Sequence, residues 1–252
     1  MEKIGSNIVA IHGNCLDVMD NMKPDSVPLI LTDPPYLMGY KTNHRSKDAS
    51  QSKREKLLQA EIANDKGSDG RAFIRRYCQR LYRICADGGA LYMFCKDQGP
   101  DGEDLLGFFK QQVTRAGFQI KNTLIWSKDN WTAGDLNGSF GFQYECIIFA
   151  HKGRHLLRGH RWSDIWSFPR VPDQDRIHPN QKPLQLLTRA IESSSDPGDL
   201  VFDGCGGSGS TALAAHYANR KAIVVELDQD RYNEMVSYLK NKINGDVYSG
   251  II

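Results

Sequence analysis

The sequence predicts an α/β fold with a doubly wound, mostly parallel β-sheet, and three observations support this. A largely apolar stretch, residues 27–32, reads as a buried strand that ends at the motif D-P-P-Y. Residues 199–226 read as a strand, a glycine-rich turn, a helix and a second strand. Predicted strands and helices alternate through the 252 residues, a length that fits one α/β domain or two small ones.

The individual elements follow from apolar spacing, turn residues and helix stop signals. In chain order they are a strand at 7–12, a short helix at 15–22, the strand at 27–32, a helix at 71–86, a strand at 90–95, a helix at 103–116, strands at 118–126 and 143–150, the unit at 199–226 and a helix at 228–243. The strands at 118–126 and 143–150 follow each other closely, so we expect them to pair antiparallel.

The composition is typical of a globular protein, with 40% hydrophobic and 25% charged residues. No apolar run approaches the roughly 18 residues that a membrane span needs, and the N-terminus has no signal-peptide pattern. The six cysteines lack C-x-x-C spacing, which predicts reduced core thiols of a cytosolic protein and neither disulfides nor a zinc site. A net charge of +2 does not by itself indicate a nucleic-acid-binding protein.

Basic residues nevertheless cluster in two stretches that suit contacts with phosphates. The first, 41–56, is long and polar, and its cations are Lys41, Arg45, Lys47, Lys53, Arg54 and Lys56. In the second, 151–170, cations that include Arg158 and Arg161 alternate with aromatic residues, a mixture that suits base stacking. A solvated surface insertion would also explain the first stretch, and buried tryptophans would explain the second.

The D-P-P-Y motif places a carboxylate, a rigid carbonyl and a ring where open α/β sheets bind ligands. Pro34 and Pro35 restrict the backbone and remove two N–H donors, so the chain there is stiff and extended. On local chemistry alone, a proline turn capped by Asp33 explains the motif equally well.

The glycine-rich unit has the pattern of a nucleoside-binding turn. Gly207, Gly209 and Ala212 match G-x-G-x-x-G/A between a strand and a helix, and Glu226 ends the next strand 19 residues after Gly207. The glycines let a ligand reach N–H groups at a helix N-terminus, and Glu226 can accept hydrogen bonds from a ribose diol. The unit does not decide which cofactor binds, and a tight turn without a ligand is the simpler alternative.

The order of these motifs resembles that of the β-class amino-methylating DNA methyltransferases, in which D-P-P-Y precedes the cofactor motif F-x-G-x-G. Three further segments match in order. Residues 13–15 are similar to the family's G-D-C, Tyr144-Glu145 to the segment after its hairpin region, and residues 178–183 (H-P-N-Q-K-P) to H-P-T-Q-K-P. The resemblance covers nearly the whole chain except parts of 41–60 and 127–175.

The resemblance implies a Rossmann-like methyltransferase fold with circularly permuted motif order. Residues 1–252 would form one catalytic domain with a seven-stranded, mostly parallel sheet containing one antiparallel strand. Inserted basic loops at about 37–70 and 127–176 are the candidate DNA-recognition regions. The expected partner is double-stranded DNA, many relatives are homodimers, and the expected location is the cytoplasm of a bacterial or phage-infected cell.

By the same resemblance, S-adenosyl-L-methionine is the cofactor and no metal is needed. The residues expected around the cofactor are Asn14, Cys15, Asp33, Lys182, Asp203, Cys205, Gly207, Ser208, Gly209, Ser210, Glu226 and Leu227. Among these, Glu226 is expected to bind the ribose and Lys182 to lie near the methionine end.

The catalytic residues implied are Asp33, Pro34, Pro35 and Tyr36. The Asp33 carboxylate and the Pro34 carbonyl would each accept a hydrogen bond from the target amino group, which localises the nitrogen lone pair. Pro35 would hold that carbonyl in place, and Tyr36 would stack on a base flipped out of the duplex.

Several positions depart from the family's pattern. Gly204 and Cys205 stand where the family has Pro and Phe, which predicts a looser turn or weaker cofactor binding. Asn14 replaces an Asp that accepts from the cofactor's adenine amino group, and its side-chain carbonyl can still accept. Asn180 replaces Thr. None of these changes removes a group that the chemistry requires.

Transfer to N6 of adenine is the leading hypothesis, because relatives that act on cytosine N4 more often begin the motif with Ser. The alternatives are N4-cytosine methylation, an RNA or protein-glutamine substrate, and a non-catalytic nucleic-acid-binding relative. No proline is followed by cysteine, which argues against C5-cytosine methylation. A dinucleotide oxidoreductase is opposed by the position of the glycine-rich unit near the C-terminus.

Overall fold

The computed structural model describes residues 1–38, 67–99, 102–132, 138, 140–177 and 181–249, and within these ranges nine strands form one β-sheet. The strands are β1 (Glu2–Ile4), β2 (Ile8–His12), β3 (Val27–Thr32), β4 (Cys85–Cys95), β5 (Gln119–Thr132), β6 (Phe142–His151), β7 (Ile165–Ser167), β8 (Leu200–Asp203) and β9 (Lys221–Glu226). The helices are α1 (Cys15–Asp20), α2 (Gly67–Ile84), α3 (Leu105–Ala116), α4 (Leu184–Ser194), α5 (Ser210–Tyr217) and α6 (Gln229–Ser249).

The sheet order is β1-β2-β9-β8-β3-β4-β6-β5-β7. Strands β2, β9, β8, β3 and β4 run parallel, whereas β6 runs antiparallel to both β4 and β5. This confirms the predicted α/β fold and the antiparallel pair. The predicted count of seven strands is too low, because two strands of three residues, β1 and β7, pair at the two edges of the sheet. Three residues are too few to show an alternating pattern.

Helices cover both faces of the sheet. Neighbouring residues of a strand point to opposite faces, so an apolar strand buries side chains against the helices on both sides. In β3, Leu29 and Leu31 belong to the apolar cluster that includes α4, α5 and α6. Ile30, between them, belongs to the cluster that includes α1, α2 and α3. All three side chains are at most 1% exposed. Packing on both faces therefore fixes the position of the carboxyl end of β3, where the D-P-P-Y motif begins.

The amphipathic helix predicted at 71–86 is α2, which starts earlier, at Gly67, and ends at Ile84. Its predicted apolar stripe is buried as far as Ile84, and Cys85 begins β4. Helix α3 ends as predicted, because Gly117 adopts the left-handed backbone conformation (φ 116°) that closes a helix C-terminus. All six cysteines are free, five of them buried and Cys205 half-buried.

The two regions predicted as basic loops have different outcomes. Region 127–176 is not a single inserted loop, because it contains the end of β5, all of β6 and all of β7. Of region 37–70, only 37–38 and the start of α2 are described, so the six predicted cations lie outside the described residues: Lys41, Arg45, Lys47, Lys53, Arg54 and Lys56. In the part of the chain that the structure describes, no helix is long and apolar enough to cross a membrane.

Candidate active site

A cavity of about 990 Å³ opens at the carboxyl ends of the parallel strands and joins the two sequence motifs. Strands β3, β8 and β9 end at Thr32, Asp203 and Glu226, so the residues that follow them meet at one edge of the sheet. All four predicted catalytic residues line the cavity, as do the predicted cofactor residues except Gly209. A Cβ at Gly209 would contact Met235 and Leu239, so this glycine faces helix α6 instead.

Asp33 lies in a buried group of charged side chains at the carboxyl end of β3. Its Oδ1 accepts a hydrogen bond from the Tyr36 hydroxyl at 2.5 Å, and its Oδ2 accepts one from Lys182 Nζ at 2.6 Å. Lys182 precedes helix α4 and its side chain is only 7% exposed. Of the H-P-N-Q-K-P segment, residues 178–180 lie outside the described ranges, but Lys182 lies directly against the D-P-P-Y motif.

Two residues that sequence reasoning did not assign complete this group. Glu145 of β6 accepts from the Tyr36 hydroxyl at 3.1 Å and lies 3.2 Å from Lys182 Nζ. Its other oxygen accepts from Lys128 Nζ, on β5, at 2.6 Å. The strand pairing of β5 with β6 brings the two side chains together. A sequence signal existed, since Glu145 is an acid immediately before the apolar run of β6.

The electrostatics of the group are set by burial and by the alternation of charges. Burial raises the pKa of Asp33, and Lys182 only partly offsets it. Burial disfavours the ionised form of Glu145, but Lys182 and Lys128 outweigh it and lower the pKa of this carboxyl to about 2. The pKa of Lys182 is raised despite burial, because Asp33 and Glu145 both stabilise its charge. Lys182 and Glu145 therefore stay ionised beside Asp33.

The glycine-rich turn presents an oriented carboxylate. Gly207 and Asp228 donate their backbone N–H groups to the two carboxylate oxygens of Glu226, each at 2.9 Å. Gly13 donates its N–H to the backbone carbonyl of the same residue at 2.9 Å. Gly207 adopts a positive φ of 51°, a conformation that glycine tolerates without strain. Three loops at the edge of the sheet are thus held together through one residue.

Asp203, the last residue of β8, stabilises the glycine-rich turn through hydrogen bonds. It accepts hydrogen bonds from the Cys205 N–H and from the Thr32 hydroxyl, both at 3.0 Å. Burial raises the pKa of Asp203 to about 6, and the nearby Asp33 carboxylate adds to the shift. The position links the ends of β3 and β8, which carry the two motifs.

The departures from the family's pattern have structural counterparts. A Cβ at Gly204 would lie 2.5 Å from the hydroxyl of Tyr77, a residue of α2 that also contacts the Thr32 hydroxyl at 2.7 Å. Tyr77 therefore fills the space beside this turn. Asn14 caps helix α1, since its side-chain oxygen accepts from the Leu16 N–H at 3.0 Å. A ligand amino group would share that oxygen with the cap.

The predicted DNA-binding residues of the stretch 151–170 do not line the cavity. The Arg158 side chain pairs with Asp196 at 3.1 Å, and its backbone N–H donates a hydrogen bond to the carbonyl of Ser193. Both contacts lie at the end of α4 that points away from the cavity. Arg161 is exposed. Trp166 is buried in the core, and Trp162 stacks on Arg189 with 4.2 Å between guanidinium and ring centroid. The cations that do line the cavity are scattered in sequence: Arg76, Lys96, Lys128, Arg170, Arg176, Lys182 and Arg231.

Comparison with solved structures shows the class of fold. The chain superimposes on the PvuII DNA methyltransferase (cytosine-N4-specific) with a TM-score of 0.73 at 14% identity, covering 98% of this chain and 93% of that one. It also superimposes on the putative DNA modification methylase TTHA0409 of Thermus thermophilus, complexed with S-adenosyl-L-methionine, with a TM-score of 0.63 at 21% identity, covering 94% of both chains. At these identities the likeness establishes the α/β methyltransferase fold alone.

Comparison of sequences shows the family. The model of the N6/N4 DNA methylase family matches residues 27–237, and the chain belongs to that family. A putative methylase, YubD, of Escherichia coli K12 is 29% identical over 219 residues, 86% of this chain and 83% of the relative. The type II methyltransferase M2.MboI of Moraxella bovis is 28% identical over an alignment of 268 positions, which covers 96% of this chain and 93% of the relative.

Proposed function

We propose that this protein transfers a methyl group from S-adenosyl-L-methionine to N6 of an adenine flipped out of double-stranded DNA. One observation carries the proposal: the Asp33 carboxylate opens into the same cavity as the glycine-rich turn and Glu226. An acceptor for an amino group and a site for a nucleoside cofactor thus share one space. Asp33 as the first residue of the motif favours adenine over cytosine.

The residues around the turn fit S-adenosyl-L-methionine. Glu226 offers an oriented carboxylate to the ribose hydroxyls, since its two oxygens are fixed by backbone N–H groups. Residues 204–208 of the turn line the cavity, and three of the five are glycines, which let the backbone pass close to its neighbours. When bound there, the cofactor supplies an electrophilic methyl group on a sulfonium ion.

The chain's own residues prepare the nucleophile. The Asp33 carboxylate accepts one N–H of the target amino group and the Pro34 carbonyl accepts the other, which favours a localised lone pair on nitrogen. Both acceptors follow β3, whose residues are buried except for the half-buried Pro28, and this limits how far they reorganise during transfer. The raised pKa of Asp33 also suits it to receive the proton that the methylated nitrogen releases. Tyr36 contributes a ring for stacking on the base.

The identity of the product tests the proposal. The protein is incubated with duplex DNA and methyl-labelled S-adenosyl-L-methionine, and the DNA is digested to nucleosides. We expect the label in N6-methyladenine. Label in N4-methylcytosine would overturn the adenine assignment. If calorimetry shows that the cofactor binds, but the label enters RNA or protein and not DNA, then DNA is overturned as the substrate.

Replacing the catalytic carboxylate tests its role. Asp33→Asn keeps the shape of the side chain and removes its charge, and we expect methyl transfer to fall by about a hundredfold or more. The affinity for the cofactor, measured by calorimetry, should change only a few-fold because Glu226 and the turn are unaltered. The matched control is Asp164→Asn, an exposed residue before β7. Activity of Asp33→Asn within a few-fold of the unaltered protein would contradict the mechanism.

A further inference from the structure

Both oxygens of Asp33 are already engaged in the structure, which raises the question of how a target amino group gains access to them. Oδ1 accepts from the Tyr36 hydroxyl at 2.5 Å and Oδ2 accepts from Lys182 Nζ at 2.6 Å. A carboxylate offers about four lone-pair sites, so each oxygen can accept once more. The Tyr36 hydroxyl nevertheless competes with an incoming N–H for Oδ1, because its hydrogen bond already uses part of that oxygen's capacity to accept.

The Tyr36 hydroxyl has one proton and two carboxylate acceptors within reach. Asp33 Oδ1 lies at 2.5 Å and Glu145 Oε2 at 3.1 Å. The hydroxyl oxygen also accepts from Lys182 Nζ at 3.2 Å, so its own proton points towards one carboxylate or the other. When that O–H turns towards Glu145, its hydrogen bond to Asp33 Oδ1 is lost. The Tyr36 hydroxyl then has to draw away from Oδ1, because two oxygens without a shared proton do not stay 2.5 Å apart.

Lys182 also depends on Glu145. Among the residues that the structure describes, its ammonium has acceptors in Asp33 at 2.6 Å, Glu145 at 3.2 Å and the Tyr36 hydroxyl at 3.2 Å. Glu145 is held in turn by Lys128 at 2.6 Å. The order Asp33, Lys182, Glu145, Lys128 alternates in charge, so each ammonium contacts a carboxylate and the group has no net charge.

We propose that Glu145 is a positioning residue for methyl transfer. It holds the Lys182 ammonium beside Asp33 and takes over the Tyr36 hydroxyl, which leaves Asp33 Oδ1 open to the amino group of the target base. The inference rests on the proposed function, because it assigns the way in which that site receives its substrate. Glu145 is assigned this role because it acts through Lys182 and Tyr36, the two groups that hydrogen-bond to Asp33.

The proposal predicts opposite pH effects for the two sides of the group. Lys182 and Tyr36 hydrogen-bond to Asp33. Glu145 acts on it through charge from beyond Lys182, with Lys128 behind Glu145, and Asp203 and Cys95 also interact with it electrostatically. Glu145 raises the pKa of Asp33 and Lys182 lowers it. Glu145→Gln should therefore move the acidic limb of kcat/KM to lower pH, and Lys182→Met should move it to higher pH.

The rates test the hydrogen-bond exchange. The neutral amide of Glu145→Gln is a weaker acceptor than the carboxylate, so the Tyr36 hydroxyl stays mainly on Asp33 and kcat should fall by about tenfold or more. Glu145→Asp keeps the charge but draws it back from the hydroxyl. It should return the acidic limb to its wild-type position while restoring kcat only in part. KM for the cofactor should remain within about twofold in both variants, because the turn that binds it is distant from this bond.

Matched controls separate the site from general effects of charge. Glu192→Gln on the exposed face of α4 and Lys121→Met at the exposed start of β5 make the same chemical changes elsewhere. Neither should alter kcat or the pH profile. If Glu145→Gln fails to fold because Lys128 loses its partner, the double variant Lys128→Met/Glu145→Gln removes both charges and carries the same test.

A measurement without turnover keeps this inference distinct from the proposed function. The pKa of Asp33 is read from its carboxyl ¹³C resonance in aspartate-labelled protein, assigned by its loss in Asp33→Asn. If the protein methylates no DNA, the proposed function fails, and this titration still decides the coupling. Shifts in one direction for both variants, no shift in either, or a folded Glu145→Gln variant with kcat within about twofold of wild type would overturn the role of Glu145.

Discussion

At the scale of the residue, two of the carboxyls that line the cavity, Asp33 and Asp203, differ in their neighbours. Asp33 contacts a cation, Lys182, whereas Asp203 accepts its hydrogen bonds from the neutral Cys205 N–H and Thr32 hydroxyl. Hydrogen bonds from neutral donors offset the burial of a charge only in part. The pKa of Asp203 is therefore raised to about 6, and its ionisation opposes folding.

Asp203→Asn should stabilise the cofactor-free protein at neutral pH. A raised pKa means that the folded protein binds this proton more tightly than the unfolded chain. The stability is thus full below about pH 4 and falls by up to about 3 kcal/mol as the pH rises through 6. Asparagine keeps an acceptor oxygen and has no proton to lose. Thermal melts of both proteins between pH 4 and 8 should diverge from pH 4 to 6 and then run parallel. A constant difference, or a less stable variant above pH 6, would contradict this account.

Single residues were predictable from sequence where the chemistry is local. Asp33 and Tyr36 are three residues apart on a rigid turn, and Gly207 and Glu226 belong to one strand–turn–helix–strand unit, so each pair was readable without a fold. Glu145 and Lys128 were not assigned, because only the pairing of β5 with β6 brings them to Lys182. The position of Glu145 before the apolar run of β6 is a weak signal, and no local pattern distinguishes Lys128 from a surface charge.

At the scale of the element, helix α2 closes the glycine-rich turn from one side. Tyr77 lies on the buried stripe of α2, and its hydroxyl occupies the space beside Gly204. This contact explains how the turn tolerates a glycine where the resemblance leads one to expect a proline. The stripe itself was predictable from its three- and four-residue spacing, whereas its contact with residue 204, far along the chain, was not.

Gly204→Ala should destabilise the protein by about 1–3 kcal/mol, because overpacking at a buried contact forces neighbours to shift. The methyl group would meet the Tyr77 hydroxyl at 2.5 Å. Adding Tyr77→Phe to this variant removes the atom in closest contact and should recover part of the loss. Urea titration measures both values. Gly245→Ala in α6, with nothing within 4 Å of the added methyl, is the control and should be neutral or stabilising. No recovery in the double variant would locate the strain elsewhere.

At the scale of the whole molecule, basic residues lie both at the carboxyl ends of the strands, where the cavity opens, and at the opposite ends of the strands. Arg170 lines the cavity, together with Arg76 and Lys96. Arg158 pairs with Asp196 at the edge where α4 ends, remote from Asp33. Both arginines belong to one basic stretch in the sequence, and only the fold separates them. The strand order shows the same limit, since the parallel core was predictable and the two edge strands were not.

DNA binding should distinguish the two arginines. Arg170→Ala removes a cation at the mouth of the cavity, so we expect weaker binding and a salt dependence reduced by about one phosphate contact. Arg158→Ala should leave both quantities unchanged within error. Fluorescence anisotropy with a duplex at several salt concentrations measures affinity and slope together. A larger effect of Arg158→Ala would place the DNA path across the opposite edge of the sheet.

The hydrogen bonds of Glu226 have an energetic consequence for ligand binding. A free glutamate side chain loses rotamer entropy when a ligand immobilises it, a cost of about 0.5–1.5 kcal/mol. Here the N–H groups of Gly207 and Asp228 have already immobilised it during folding. The group proposed to bind the ribose is therefore preorganised, and the conformational entropy that it would lose at each binding event is lost once, when the chain folds.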